Sequence, residues 1–292
     1  FSACRKSRSP TRVSRSAPSP RPNEPEVHVS NTVFENSAVR ATVEIDSDID
    51  SDHVAVVELT TPPNNFFSLE LIGGVADALQ ALDADDHCRA ILLCADGKHF
   101  CAGADFAADA SGYTTEELYA AAARIVDNTK PVVAAIQGAA IGGGLGLALT
   151  ADFRFAAPEA RFSANFARLG FHHGFGLSVT LPRLVGPQSA AELLYTGRRV
   201  KGDEAAALGL ADRVAPLNEL RAQARSFAGE IAKSAPLAVR SIRATLRGDL
   251  ADQVRAATAH EAAEQEWLRK TADFAEGTRA MAERREPKFR GA

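Results

Sequence analysis

From position 53 onward the chain alternates short unbroken apolar runs with longer stretches in which apolar residues return every three or four positions. Val54-Ala55-Val56-Val57-Glu58-Leu59 predicts a strand, closed by the turn-forming Thr61-Pro62-Pro63-Asn64-Asn65. Ser68 stands where it can cap a helix whose Leu69, Ile72, Val75, Ala76, Leu79 and Leu82 share one face. Arg89 to Ala95 predicts a second, buried strand, and Gly97 to Asp105 a loop of small residues. Thr114-Thr115-Glu116-Glu117 has the form of a capping box for a helix to about Asn128. Pro131 to Ile136 is the next strand, and it runs into Ala139-Ala140-Ile141-Gly142-Gly143-Gly144-Leu145-Gly146-Leu147-Ala148-Leu149. Strand, helix, strand, loop, helix, strand, helix is a βαβ succession, so the fold class is α/β.

Beyond it, Phe153 to Ala157 and Arg161 to Ala164 predict two short strands. Pro187 suits the first turn of a helix through Tyr195, Ala205 to Leu208 stop at Gly209, and Asp212 to Ala215 make a short extended return. From Leu217 the pattern is helical, with three helices broken near Pro236 and Gly248. The beginning differs: to about Glu26 it is Ser, Pro and Arg with few large apolar side chains, the makeup of a disordered arm. The expected organisation is an arm over 1–35, a core over 50–215 and a helical region over 216–292.

Composition narrows the class of function. The hydrophobic fraction of 46% in 292 residues supports a sizeable core, and no apolar run is long enough to span a membrane. The first thirty residues carry a net charge of +4 and the remainder −8, an acidic body that argues against nucleic acid as the main partner. Cys4, Cys88, Cys94 and Cys101 lack metal-ligand or disulfide-framework spacing, so no metal is expected and a reducing, cytoplasmic setting fits. The basic, serine-rich arm is also compatible with organelle import.

Four glycines within five residues, entered from a strand and leaving into a helix, bring backbone close to a partner and aim a helix N-terminus at it. Dinucleotide binding is excluded by spacing: in G-x-G-x-x-G the last glycine would fall on Leu147 or Leu149. A tight turn is the simpler reading of a Gly-Gly pair; the second small-residue loop, Ala102-Gly103-Ala104-Asp105, tips the balance toward a site for developing negative charge. Gly170, His172, His173, Gly174 and Gly176 form a further unusual cluster.

Phe100 to Asp105, Pro131 to Asp152, Leu194-Tyr195-Thr196-Gly197, Ala205 to Val214, Phe274-Ala275-Glu276-Gly277 and Pro287-Lys288-Phe289 together resemble the crotonase superfamily, the enoyl-CoA hydratase/isomerase family, over about residues 50 to 292. The resemblance implies a ββα spiral with a C-terminal helical trimerisation region. It implies assembly as a homotrimer or dimer of trimers and an acyl-CoA thioester as ligand, with no cofactor beyond the coenzyme A that the substrate carries. By the same resemblance the N–H groups of Ala104 and Gly143 are the oxyanion donors for a thioester enolate. Ala102, Gly142 and Phe166 line the site, and Asp105 caps the loop near the cofactor.

Two positions depart from the family. Its hydratases carry one glutamate two residues after the glycine run and another early in the segment after the next strand; Gly146 and Phe166 stand there, and neither moves a proton. Three readings remain. His173, or less favourably His172, supplies the base, in the loop where aryl-CoA dehalogenases and naphthoyl-CoA synthases carry an aspartate; lyase, isomerase or hydrolase chemistry on the thioester all fit. Neighbouring histidines are more often loop hydrogen-bonders. Second, the chain is a degenerate acyl-CoA binder; third, an interaction module. Glu116 and Glu117 read as helix caps, Asp152 as a turn tie, and Lys288 and Arg290 equally as contacts to CoA phosphates or as a solvated basic tail. Phe66, Phe67, Phe166, Phe171 and Phe175 suggest an apolar acyl pocket, though phenylalanine is more often plain core.

Overall fold

The computed structural model describes residues 29–45, 52–105 and 112–292. Its first elements are a hairpin, β1 (Val29–Glu35) and β2 (Val39–Ile45), paired antiparallel. Val33 and Phe34 pack against the core, which corrects the expected arm of 1–35 over its last seven residues, Val29–Glu35. The reason is that Val-Ser-Asn-Thr-Val-Phe shows neither regular alternation nor an unbroken apolar run, and its register on β2 shifts between Thr32 and Phe34, so only pairing with a neighbouring strand makes it one. Residues 1–28, the rest of the expected arm, lie outside the described residues.

The chain continues through β3 (Val54–Leu59), α1 (Leu69–Ala84), β4 (Ala90–Ala95), α2 (Thr115–Val126), β5 (Val132–Ile136), β6 (Ala139–Ile141), α3 (Gly143–Thr150), β7 (Phe153–Ala156) and β8 (Arg161–Ser163). Then come α4 (Leu177–Thr196), β9 (Val200–Lys201), α5 (Gly202–Leu208), β10 (Arg213–Val214), α6 (Leu220–Ala232), α7 (Pro236–Arg247), α8 (Leu250–Leu268) and α9 (Ala272–Ala282). Ser68 caps α1 by accepting from Leu71 N, and Thr114 with Glu117 forms the expected capping box of α2.

One sheet runs β1-β2-β3-β4-β5-β7-β10, antiparallel at the hairpin end and parallel from β3 onward. A smaller sheet joins β6, β8 and β9. Every residue of β4 and β5 is buried, because both faces of the large sheet are covered. Ile91, Leu93, Ala134 and Ile136 pack on the side of α1, whereas Leu92, Cys94, Val133 and Ala135 pack with Leu220, Ala224 and Ala228 of α6.

Downstream one expectation holds and one changes. A helix does open at Pro187: α4 is two helical segments joined across a break at Gly186, where φ is 76° and ψ 161°, and the segment from Leu177 to that break is the part not expected. Four helices, not three, follow Leu217, because Thr271 accepts from Phe274 N and starts α9 afresh. The helical layer is tied to the sheet by Asp152, which accepts from Val132 N at 2.8 Å, Arg243 Nε at 2.8 Å and Arg247 Nε at 3.0 Å.

Candidate active site

Two loops that are distant in sequence run side by side because Cys101 bridges Ala140 in parallel. Cys101 N donates to Ala139 O at 2.9 Å and Ile141 N to Cys101 O at 3.1 Å. Ala104 and Gly143 each lie three residues past that bridge, so one register carries both toward the same end of the strands. Gly142, at φ 56°, donates to Ser163 O and turns the chain into α3, whose first residue is Gly143. A helix leaves its first N–H groups unpaired. Among the described residues, neither the Gly143 nor the Ala104 N–H meets an acceptor.

Phe67 links the two loops. Its N–H donates to Gly103 O at 2.9 Å, and its ring covers Gly143 so closely that a Cβ there would fall 2.5 Å from it. A Cβ on Gly144 would meet Cys101 O at 2.3 Å. The glycine run is therefore a packing requirement as well as an electrostatic one. Burial pushes the Cys101 thiol up to about 12, so it stands at the bridge as a small apolar side chain, not as a nucleophile.

Gly146 lies under Phe175: a Cβ would fall 2.6 Å from Phe175 Cβ. Phe166 is buried, with the tip of its ring beside Gly142, 3.6 Å from where a Cβ would stand. Two edge-to-face aromatic groups result, Phe67 with Phe175 at 5.4 Å and Phe166 with Phe171 at 5.4 Å, the latter continuing to Phe274 of α9 at 5.2 Å. Aromatic rings thus line the glycine turn, Phe166 at Gly142, Phe67 at Gly143 and Phe175 at Gly146.

This geometry has a counterpart among known proteins: the family model described as Enoyl-CoA hydratase/isomerase matches residues 50–292. The chain belongs to the enoyl-CoA hydratase/isomerase family. It is 38% identical over 255 residues to a Thermus thermophilus protein provisionally named enoyl-CoA hydratase, covering 82% of this chain and 99% of the relative. It is 33% identical over 246 residues to the crotonyl-CoA hydratase of Syntrophomonas wolfei, covering 82% and 95%. The crystal structure of an enoyl-CoA hydratase/isomerase from Pseudoalteromonas atlantica superposes with a TM-score of 0.77 at 30% identity, over 87% of this chain and 100% of that one. The protein is an enzyme of this family, with its crotonase-like α/β fold and C-terminal helices.

Within that family fold the expected site residues fall into two groups, with Lys288 apart from both. Ala102, Ala104, Gly142, Gly143 and Phe166 come together at the bridged loops, with Asp105 exposed at the end of the described segment. His172 and His173 sit in the turn before α4 and are held by α8. Their rings stack at 4.1 Å, His172 Nδ1 bonds His173 O at 2.8 Å, and His173 Nε2 bonds Ser178 Oγ at 2.8 Å. Burial, with the neighbouring His172 and His260, pushes His173 down to about 4, so its imidazole is neutral near pH 7. Lys288 stands elsewhere, in the C-terminal tail, with its backbone N–H on Glu276 Oε1 at 2.9 Å.

Sequence reasoning missed Glu261 and Gln265. Both are buried on α8; Glu261 accepts from Gly176 N at 2.8 Å and Ser178 Oγ at 2.6 Å, and Gln265 donates to His172 O at 2.8 Å. The signal was present. With Val254 and Thr258 they continue the buried stripe at helical spacing, where a carboxylate and an amide need partners.

Proposed function

We propose that this protein acts on acyl-CoA thioesters through an oxyanion hole formed by the N–H groups of Ala104 and Gly143, which stabilises a thioester enolate. The observation that carries this reading is the Cys101–Ala140 bridge, which sets two unpaired N–H groups the same distance along two adjacent loops. Fixed donors of that kind act where charge develops, and each is worth roughly 3 kcal/mol of barrier.

The proton-transfer half differs from that of a hydratase. Gly146 and Phe166 stand where the family's hydratases carry glutamates, and His173 is the proton-transfer group, ahead of His172. A neutral imidazole has a nitrogen free to accept a proton from the carbon beside a thioester carbonyl, but the burial that holds His173 near 4 also weakens it as a base, so in this reading the bound thioester has to raise that value. Ala102, Gly142 and Phe166 line the acyl site, Asp105 caps its loop, and Lys288 meets the CoA phosphates. The assembled form is a homotrimer or dimer of trimers built through the C-terminal helices.

One observation favours a second reading, thioester binding without turnover: His173 is hydrogen-bonded to Ser178 of α4, which is itself bonded to Glu261 of α8, and the ring that faces α3 from the same turn is Phe175. The deciding experiment incubates the protein with a panel of enoyl-, hydroxyacyl- and aryl-CoA thioesters and follows each by mass spectrometry beside a binding measurement. Turnover lost in His173→Ala is the expected result. Hydration of crotonyl-CoA at ordinary family rates, retained in His173→Ala, would overturn the base assignment and the departure from the hydratases together. Binding without any turnover selects the second reading.

A further inference from the structure

Glu261 is fully buried on α8, yet nothing in a thioester reaction assigns it a task. Its carboxylate reaches across to the start of α4. Oε2 accepts from Gly176 N at 2.8 Å, while Oε1 accepts from Ser178 N at 3.1 Å and Ser178 Oγ at 2.6 Å. Two backbone amides and a hydroxyl at a helix N-terminus are the donor set of an anion.

The order of donors then follows from proton counting. A carboxylate only accepts, so the single hydroxyl proton of Ser178 points at Glu261. The Ser178 oxygen is left to accept, and the atom at 2.8 Å from it is His173 Nε2. That nitrogen must carry a hydrogen. In a neutral imidazole the other nitrogen, Nδ1, is then a bare acceptor. The ring is held in place as well: His172 Nδ1 donates to the carbonyl of His173, the two rings stack, and Gln265 donates to His172 O.

We infer that Ser178 and Glu261 are positioning residues that fix His173 in its Nε2–H tautomer and present Nδ1 as the proton acceptor. This rests on the reading of His173 as the proton-transfer group. The same proton order rules Ser178 out as a nucleophile, because its hydroxyl proton goes to a carboxylate and the amides of Gly176 and Ser178 are already committed to that carboxylate.

The test separates tautomer from turnover. Protein labelled with 15N-histidine reports the His173 tautomer by two-bond proton–nitrogen correlation, and exchange of the α-protons of butyryl-CoA in D2O reports proton transfer. In that exchange the base takes a proton from the α-carbon and returns a deuteron to it. The wild type is expected to show Nε2–H. Ser178→Ala loses this preference and slows exchange about tenfold with little change in KM, and Ser178→Thr, which keeps the hydroxyl, restores both. Glu261→Gln, which offers one carbonyl oxygen to three donors, is expected to weaken the Nε2–H preference; Ser178→Ala carries the test if that variant does not fold. A His173 found as Nδ1–H in the wild type, or a tautomer indifferent to Ser178→Ala, would overturn the inference. The expected tautomers combined with full exchange in His173→Ala would overturn only the base assignment.

Discussion

The ring of Phe67 lies on the backbone of Gly143 with no room for a methyl group, and its own N–H holds the carbonyl of Gly103, one residue before Ala104. One side chain therefore sets the spacing between the two proposed oxyanion donors. Gly143→Ala displaces the ring and, through it, the Ala104 loop. The expected outcome is a loss of roughly 100-fold in the α-proton exchange of butyryl-CoA, in line with the loss of an oxyanion donor. The fold should persist by circular dichroism, and Phe67→Leu in the same chain should recover part of the rate. Wild-type exchange in Gly143→Ala would remove the oxyanion role.

Gly146 and Phe175 predict the cost of placing a glutamate at 146, the position proposed to lack the proton-transfer group of a hydratase. Since a Cβ at 146 would meet Phe175 Cβ, close to the backbone, the turn before α4 has to move to admit any side chain. Gly146→Glu should lower stability by about 1–3 kcal/mol, the usual range for overpacking. It should give no crotonyl-CoA hydration by itself. Urea denaturation and an absorbance assay check the two halves.

His173 makes stability depend on pH. The unfolded chain takes up its proton at the ordinary value of 6.5 and the folded chain only at about 4, so between those values the unfolded state binds more protons. Stability therefore rises with pH across that window and is lost on acidification, by up to about 3 kcal/mol from this residue. His172, His260 and Glu261 surround the ring; the two histidines oppose its protonation. Melting curves at pH 4.5 and 7.5 should differ less for His173→Asn than for the wild type. An equal difference would show that the imidazole is not the group responsible.

Asp152 is the hub between β5 and α7. Arg243 and Arg247 are mostly buried against it, so Asp152→Ala leaves two guanidinium groups short of their anion. A destabilisation of about 3–5 kcal/mol is expected, as for breaking a buried pair. The hub lies beyond the far end of α3 from Gly143, so thioester binding measured in the folded protein should stay near that of the wild type. A change below about 1 kcal/mol would show that the pair contributes little, as surface pairs do.

The sequence by itself determined what depends on near neighbours. Ser68 and Thr114 cap their helices, buried strands read as unbroken apolar runs, and the glycines after Ile141 announce a close approach, because caps, periodicity and backbone freedom are set within a few residues. The β1–β2 hairpin escaped, since a short polar-rich run gains meaning only beside β3. The Cys101–Ala140 register, the Phe67 ring over Gly143 and the reach of Glu261 to Gly176, 85 residues away, were decided by tertiary structure alone. The glycine stretch says that something must come close; the packing of distant segments determines that Phe67, Cys101 and Phe175 are what does.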